Sequence, residues 1–226
     1  AGERTWRKQV KEGDVVLICD VGGGTTDFTL VNVAQENGEL TLRRIAVGNH
    51  ILVGGDNMDL ALAHLAQGRF AEKGLTLDAW QSVALWHACR AAKESLLQNP
   101  DLASAPVTLL GRGRRTIGGS VSIELRREEI LSVLTDGFFP VSRLQDRPAR
   151  RAASGFRELG LPFESDPAVT RHLSQFLAQQ GDVRPTRVLF NGGVFKAEAF
   201  RQRLLEVVAG WFGSDPASLQ LPDNQD

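Results

Sequence analysis

Cysteine is scarce: Cys19 and Cys89 are the only two in 226 residues, and both sit inside apolar segments. A disulfide framework needs more of them, so the sequence fits a reducing, cytoplasmic setting. The four histidines, His50, His64, His87 and His172, stand at no metal-ligand spacing with either cysteine. No apolar run approaches the roughly 18 residues of a membrane-spanning helix, and no signal-peptide pattern opens the chain, so no membrane partner is expected. Neither sign of charge is in excess: 26 Lys and Arg face 27 Asp and Glu, a net charge of −1. That removes any global electrostatic reason to expect nucleic acid as a partner. Methionine occurs once, at Met58, and not at the start. The chain opens on Ala1-Gly2-Glu3 and closes on "LPDNQD", which reads as a piece of a longer protein. Repeats of fixed period and low-complexity tracts are also missing.

What is present is an ordinary globular composition, 42% hydrophobic and 23% charged, in a length that allows one large domain or two small ones. Residues 15–19 form a continuous apolar run, as in a strand buried on both faces. Residues 26–33 are rich in β-branched and aromatic types, "NGEL" signals a turn, and Leu40 and Leu42 then alternate with polar residues. This predicts a three-stranded antiparallel meander. Gly54-Gly55-Asp56 opens a helix with Asp56 as N-cap and Met58, Ala61, Leu62 and Leu65 on one face. Asp78 caps a second helix carrying Leu85, Ala88, Cys89, Ala92 and Leu96, which ends near Asn99-Pro100. A hairpin is predicted over 107–110 and 116–125 around "GRGR", then a helix over 127–138. Residues 140–167 read as an irregular connection. A helix over 168–180, the strand "RVLFNGG" and a last helix bearing Ala197, Phe200, Leu204, Val207, Val208 and Trp211 complete the pattern. Irregular alternation of strands and helices with glycine pairs at the junctions is an α/β architecture.

The chemistry concentrates at those glycines. In "CDVGGGTTDF", Gly22, Gly23 and Gly24 lie between Asp20 and Asp27. Backbone without Cβ atoms can approach a ligand closely, and successive N–H groups in a tight turn form an anion-binding concavity. Carboxylates beside it repel bare phosphate but suit a phosphate carrying hydrated Mg²⁺. Asp20, Thr25 and Asp27 are therefore candidate residues of a metal–polyphosphate site, with a plain glycine turn flanked by solvated acids as the competing reading. No Gly-Lys-Ser/Thr follows, which excludes a Walker loop, and Asp27 stands where a dinucleotide fingerprint wants glycine. Gly54 and Gly55 offer N–H groups at a helix start, and Gly192 and Gly193 offer bare backbone between a strand and a helix.

In this order, "CDVGGGTTDFTL", "VGGDNMDLALA", "CRAAKESL" and "RVLFNGGVFKAEAFRQRL" resemble the seventy-kilodalton heat-shock chaperones of the DnaK type, within the actin/hexokinase superfamily of ATPases. The resemblance runs from about residue 15 to 211. It implies an actin-like ATPase (ribonuclease H-like) lobe: a mixed sheet with helices over 1–55 and 126–226, and an inserted α+β subdomain over 56–125. It implies ATP or ADP with Mg²⁺ as cofactors. Asp20 would hold the Mg²⁺ water shell; Gly22, Gly23, Gly24 and Thr25 would face the β- and γ-phosphates; Asp27 would support the loop. Gly54 and Gly55 would lie near phosphates and ribose, Lys93 would reach the ribose, and Gly192, Gly193 and Lys196 would border the adenosine. The other lobe, a peptide-binding domain, unfolded peptide clients and co-chaperones are the implied partners. Three positions depart from the pattern. Arg90 stands where an acid is usual, Glu94 where a base is usual, and Lys196 replaces an arginine that stacks on adenine. Arg90 and Glu94 are spaced for a surface i,i+4 pair. An actin-like assembly ATPase and a small-molecule kinase of the same superfamily are the alternatives.

Three further features read as structural. The arginines at 143, 147, 150, 151 and 157 lack interleaved aromatics and read as a solvated loop. Trp80, Trp86 and Trp211 read as packing residues, and Cys19 and Cys89 as small buried hydrophobes.

Overall fold

A computed structural model describes residues 8–110, 119–149 and 164–221. The meander forms as the alternation requires: β1 (Val15–Val21), β2 (Thr26–Glu36) and β3 (Glu39–Val47), with β2 antiparallel to both neighbours. Asn37 and Gly38 take positive φ in the connecting turn, as a two-residue hairpin loop demands. β6 (Arg187–Asn191) then pairs in parallel with β1, giving a mixed sheet of order β3-β2-β1-β6. That central position explains the unbroken apolar run of β1. Leu17, Cys19 and Val21 are fully buried on one face, and Val16 joins Val33 and Leu221 on the other.

Two helices complete this unit's core. α4 (Val169–Ala178) brings Phe176 to within 5.9 Å of Phe28, ring centre to ring centre. α5 (Glu198–Phe212) follows a 3-10 turn over Gly193–Lys196 and seats Phe200 on Phe139. Each such side chain contributes roughly 1.5–3 kcal/mol by leaving water. The described part of the irregular connection is pinned. Thr170 donates to the Pro140 carbonyl, the Ser174 hydroxyl lies within hydrogen-bond distance of three carbonyls at 143, 144 and 146, and the Trp211 indole donates to Ser142. Arg143 and Arg147 belong to this pinned stretch, while Arg150, Arg151 and Arg157 lie outside the described residues. A short α6 (Pro216–Leu219), unforeseen in the sequence, leads to a bridge between Gln220 and Val188 on β6.

The second compact unit spans Gly55–Gly137, and the first comprises Ala1–Gly54 with Phe138–Asp226. The second unit holds α1 (Gly55–Glu72), α2 (Ala79–Gln98), the hairpin β4 (Ser104–Leu110) and β5 (Ser120–Arg126), and nearly all of α3 (Arg127–Phe138). The turn "GRGR" and Thr116 lie outside the described residues. The sequence-based boundary at 125/126 thus differs from the observed one, and the reason is local. Arg127 donates its backbone N–H to Ala103 and its guanidinium to Leu96 and Asn99, and Glu129 pairs with Arg69 of α1. Asp78 caps α2 with a complete capping box through Gln81, as its position predicts. Asp56 is not the cap of α1: the helix begins at Gly55, and the Asp56 carboxylate pairs instead with Arg90. Trp80 is about half exposed rather than core.

Candidate functional site

Asp20 is the last residue but one of β1 and Asp27 the second of β2, and the two are direct partners in the ladder. Between them the chain turns on Gly22, whose N–H donates to the Thr25 carbonyl at 2.9 Å. Gly23 and Gly24 at the tip are exposed, and among the described residues their N–H groups meet no acceptor. Thr26 fastens the loop from behind. Its buried hydroxyl donates to Val53 at 2.8 Å, and its backbone bridges Ile51. This draws the segment 51–54 against the loop.

Gly54 and Gly192, at the second and third glycine junctions, are required by close approach. A Cβ on Gly54 would lie 2.5 Å from the Gly23 carbonyl oxygen and 2.7 Å from that of Gly22. A Cβ on Gly192 would lie 2.2 Å from the Val21 carbonyl oxygen and 2.8 Å from Asp20 Oδ1, and Gly192 holds φ at +87°. Gly54 and Gly192 therefore both press bare backbone on the same loop. The fold brings Asp20, Gly22, Gly23, Gly24, Thr25, Asp27, Gly54 and Gly192 together. Gly193 is exposed beside Gly192, and Lys196 is exposed at the end of the 3-10 turn.

Two residues join the site that the sequence reading missed. Asn191 is the ladder partner of Asp20 and donates its amide to Asp20 Oδ2 at 2.8 Å. His50 Nδ1 lies 2.5 Å from Asp27 Oδ1. Each carboxylate flanking the glycines thus has a fixed partner. Asn191 was findable, because it immediately precedes the Gly192-Gly193 pair. His50 had no local signal.

Gly55, Lys93 and Arg90 belong to the second unit and are described within it. Lys93 is buried on α2, with Nζ 2.6 Å from Asp59 Oδ1 and 3.2 Å from the Gly55 carbonyl it donates to. Arg90 donates from Nε to Asp59 Oδ2 at 2.7 Å and pairs through its other nitrogen with Asp56. The expected Arg90–Glu94 pair does not form; Arg90 turns to α1, where two carboxylates outbid one. The Asp59 hydrogen bond raises the Arg90 pKa above its already high ordinary value. Burial, with the Asp59 charge adding to it, pushes the Cys89 thiol up to about 12, and burial alone raises Cys19. Both thiols are packing groups rather than nucleophiles.

Together these features define a class: a mixed-sheet α/β protein with an exposed glycine loop between two carboxylates, compatible with one lobe of an actin-like ATPase. No protein-family model matches the chain. It is similar to human heat shock 70 kDa protein 12B, with 25% identity over 209 residues. The match covers 89% of this chain and 29% of that protein, so the chain spans under a third of its relative's length. Identity at this level supports a distant heat-shock-70-like relationship.

Proposed function

We propose that this chain is the second lobe of the nucleotide-binding domain of a divergent heat-shock-70-like chaperone. It would supply phosphate contacts for ATP-driven control of peptide binding in the parent protein, in the cytoplasm. The observation that carries this reading is the meeting of Gly54 and Gly192 at the Asp20–Thr25 loop, which leaves the loop's tip open for an anion. The ordered likeness to a heat-shock protein over most of the chain agrees with it.

The donor set fits a Mg–nucleotide. The N–H groups at Gly23 and Gly24 would take phosphate oxygens. Asp20, oriented by Asn191, would hold the water shell of Mg²⁺, which is ordinarily bound through one or two carboxylates and phosphate rather than a protein cage. Asp27, held by His50, would brace the loop. Opposite-lobe residues, a peptide-binding domain, co-chaperones and unfolded clients belong to the parent protein in this reading.

Calorimetric titration with Mg-ADP tests it. Binding is expected, and Asp20→Asn is expected to weaken it about tenfold and to blunt its Mg²⁺ dependence, as loss of one charge-assisted contact does. Lys196→Ala should change affinity less, because that side chain stands outside the loop. Wild-type protein that binds no nucleotide would refute the proposal.

A further inference from the structure

The resemblance gives Lys93 to the ribose, yet the chain uses it otherwise. Asp59 is almost completely buried, its side chain about 1% exposed, and a buried carboxylate is tolerated only when compensated. Two cations from α2 compensate it: Lys93 on one oxygen and Arg90 on the other. Lys93 also donates to the carbonyl of Gly55, the first residue of α1. Arg90 reaches Asp56 one residue later, and its guanidinium carbon sits 5.3 Å from the centre of the Trp86 ring. The contacts to Gly55, Asp56 and Asp59 converge on the start of α1, which begins directly after Gly54.

We infer that Lys93 and Arg90 form a clamp that fixes the start of α1, and that Lys93 is a positioning residue acting through Asp59 and Gly55 rather than a ribose ligand. Extending Lys93 to a sugar would strip a buried carboxylate of one of its two cations. Breaking such a pair from one side is strongly destabilising, whereas a hydrogen bond to an exposed sugar hydroxyl returns little. Arg90, where an acid is usual, completes the clamp instead of offering an acceptor to a sugar. The consequence for specificity rests on the function proposed above: this protein reads its nucleotide through the phosphates and is nearly indifferent to ribose hydroxyls on the Lys93 side.

The test combines melting with ligand comparison on the purified chain. Lys93→Met is expected to lower the melting temperature by on the order of 10 °C. Asp59→Asn should lower it comparably, and the double variant should melt no lower than the worse single variant. The ratio of affinities for Mg-ADP and Mg-2′,3′-dideoxy-ADP should agree within about twofold between wild type and Lys93→Met. If Lys93→Met does not fold, the ratio is read on Lys93→Gln, which keeps a donor for Gly55. A wild-type melting temperature in Lys93→Met, additive losses in the double variant, or a preference for ADP that collapses tenfold in the variant would each overturn the inference. Should wild type bind no nucleotide, the function proposed above falls. The melting cycle then decides the clamp alone, coupled losses upholding it and additive losses overturning it.

Discussion

Gly54 and Gly24 lie within one loop region, yet only one of them is sterically required. A methyl group on Gly54 would overlap two carbonyl oxygens, both backbone and neither able to swing aside, whereas a Cβ on Gly24 meets nothing within 4 Å. Gly54→Ala is therefore expected to cost about 2–3 kcal/mol of stability, the scale of overpacking against rigid neighbours. Gly24→Ala should stay within about 0.5 kcal/mol, as open-site substitutions do. Urea denaturation of the two variants beside wild type checks this, and equal losses would show that the loop is not packed as described. At this scale the residue types were legible: three glycines between two acids announce a tight turn, and the chain makes one there. The partners were not. Nothing near Asp27 in the chain points to His50, because the contact depends on segment 51–54 returning to Thr26.

At the scale of elements, caps and their electrostatics decide where helices begin. Asp78 and Gln81 form the capping box that their three-residue spacing announces. α4 has no such signal, since its N-cap, Ala168, carries no capping group. Asp166 substitutes for one. It is buried, which alone would raise its pKa, but the N–H groups of Ala149 and Ala168 and the Arg171 guanidinium outweigh burial and hold it below the usual carboxylate range. A carboxylate lowered on folding adds stability above its unfolded pKa of about 3.9, and that stability drains as pH falls towards the lower folded value. Wild type should therefore exceed Asp166→Asn in urea midpoint at pH 6, with the gap narrowing by pH 3. A gap that widens on acidification would contradict the assignment. Asp56 shows the opposite lesson: a good capping residue sits beside the helix start, but Arg90 on another helix claims its carboxylate.

For the whole molecule, the proposed reading makes this chain one side of a two-sided site. Phosphoryl transfer to water requires the attacking water and the departing phosphate to be positioned together, and the proposed donors face the phosphates from one lobe only. The purified chain is thus expected to bind Mg-ADP without measurable ATP turnover. Phosphate release from ATP that persists through repurification and is abolished by Asp20→Ala would overturn that expectation. The two compact units each carry part of the motif order, the glycine loop in the first and the clamp in the second.

The sequence by itself determined what nearest neighbours along the chain control. Alternation set the meander, period and caps set the helices, and glycines marked the junctions, among them Gly54 and Gly192, where backbone stands bare. These depend on φ, ψ and side chains a few residues away. Only the tertiary structure decided what crosses between elements. It paired β6 in parallel with β1 so that Asn191 meets Asp20, brought α6 to the edge of β6, and kept α3 with the second unit. It also turned Lys93 and Arg90 inward to Asp59. The physical reason is reach and burial. A long cation has many exposed alternatives in the unfolded chain, and only helix packing that buries a carboxylate beside it selects one of them.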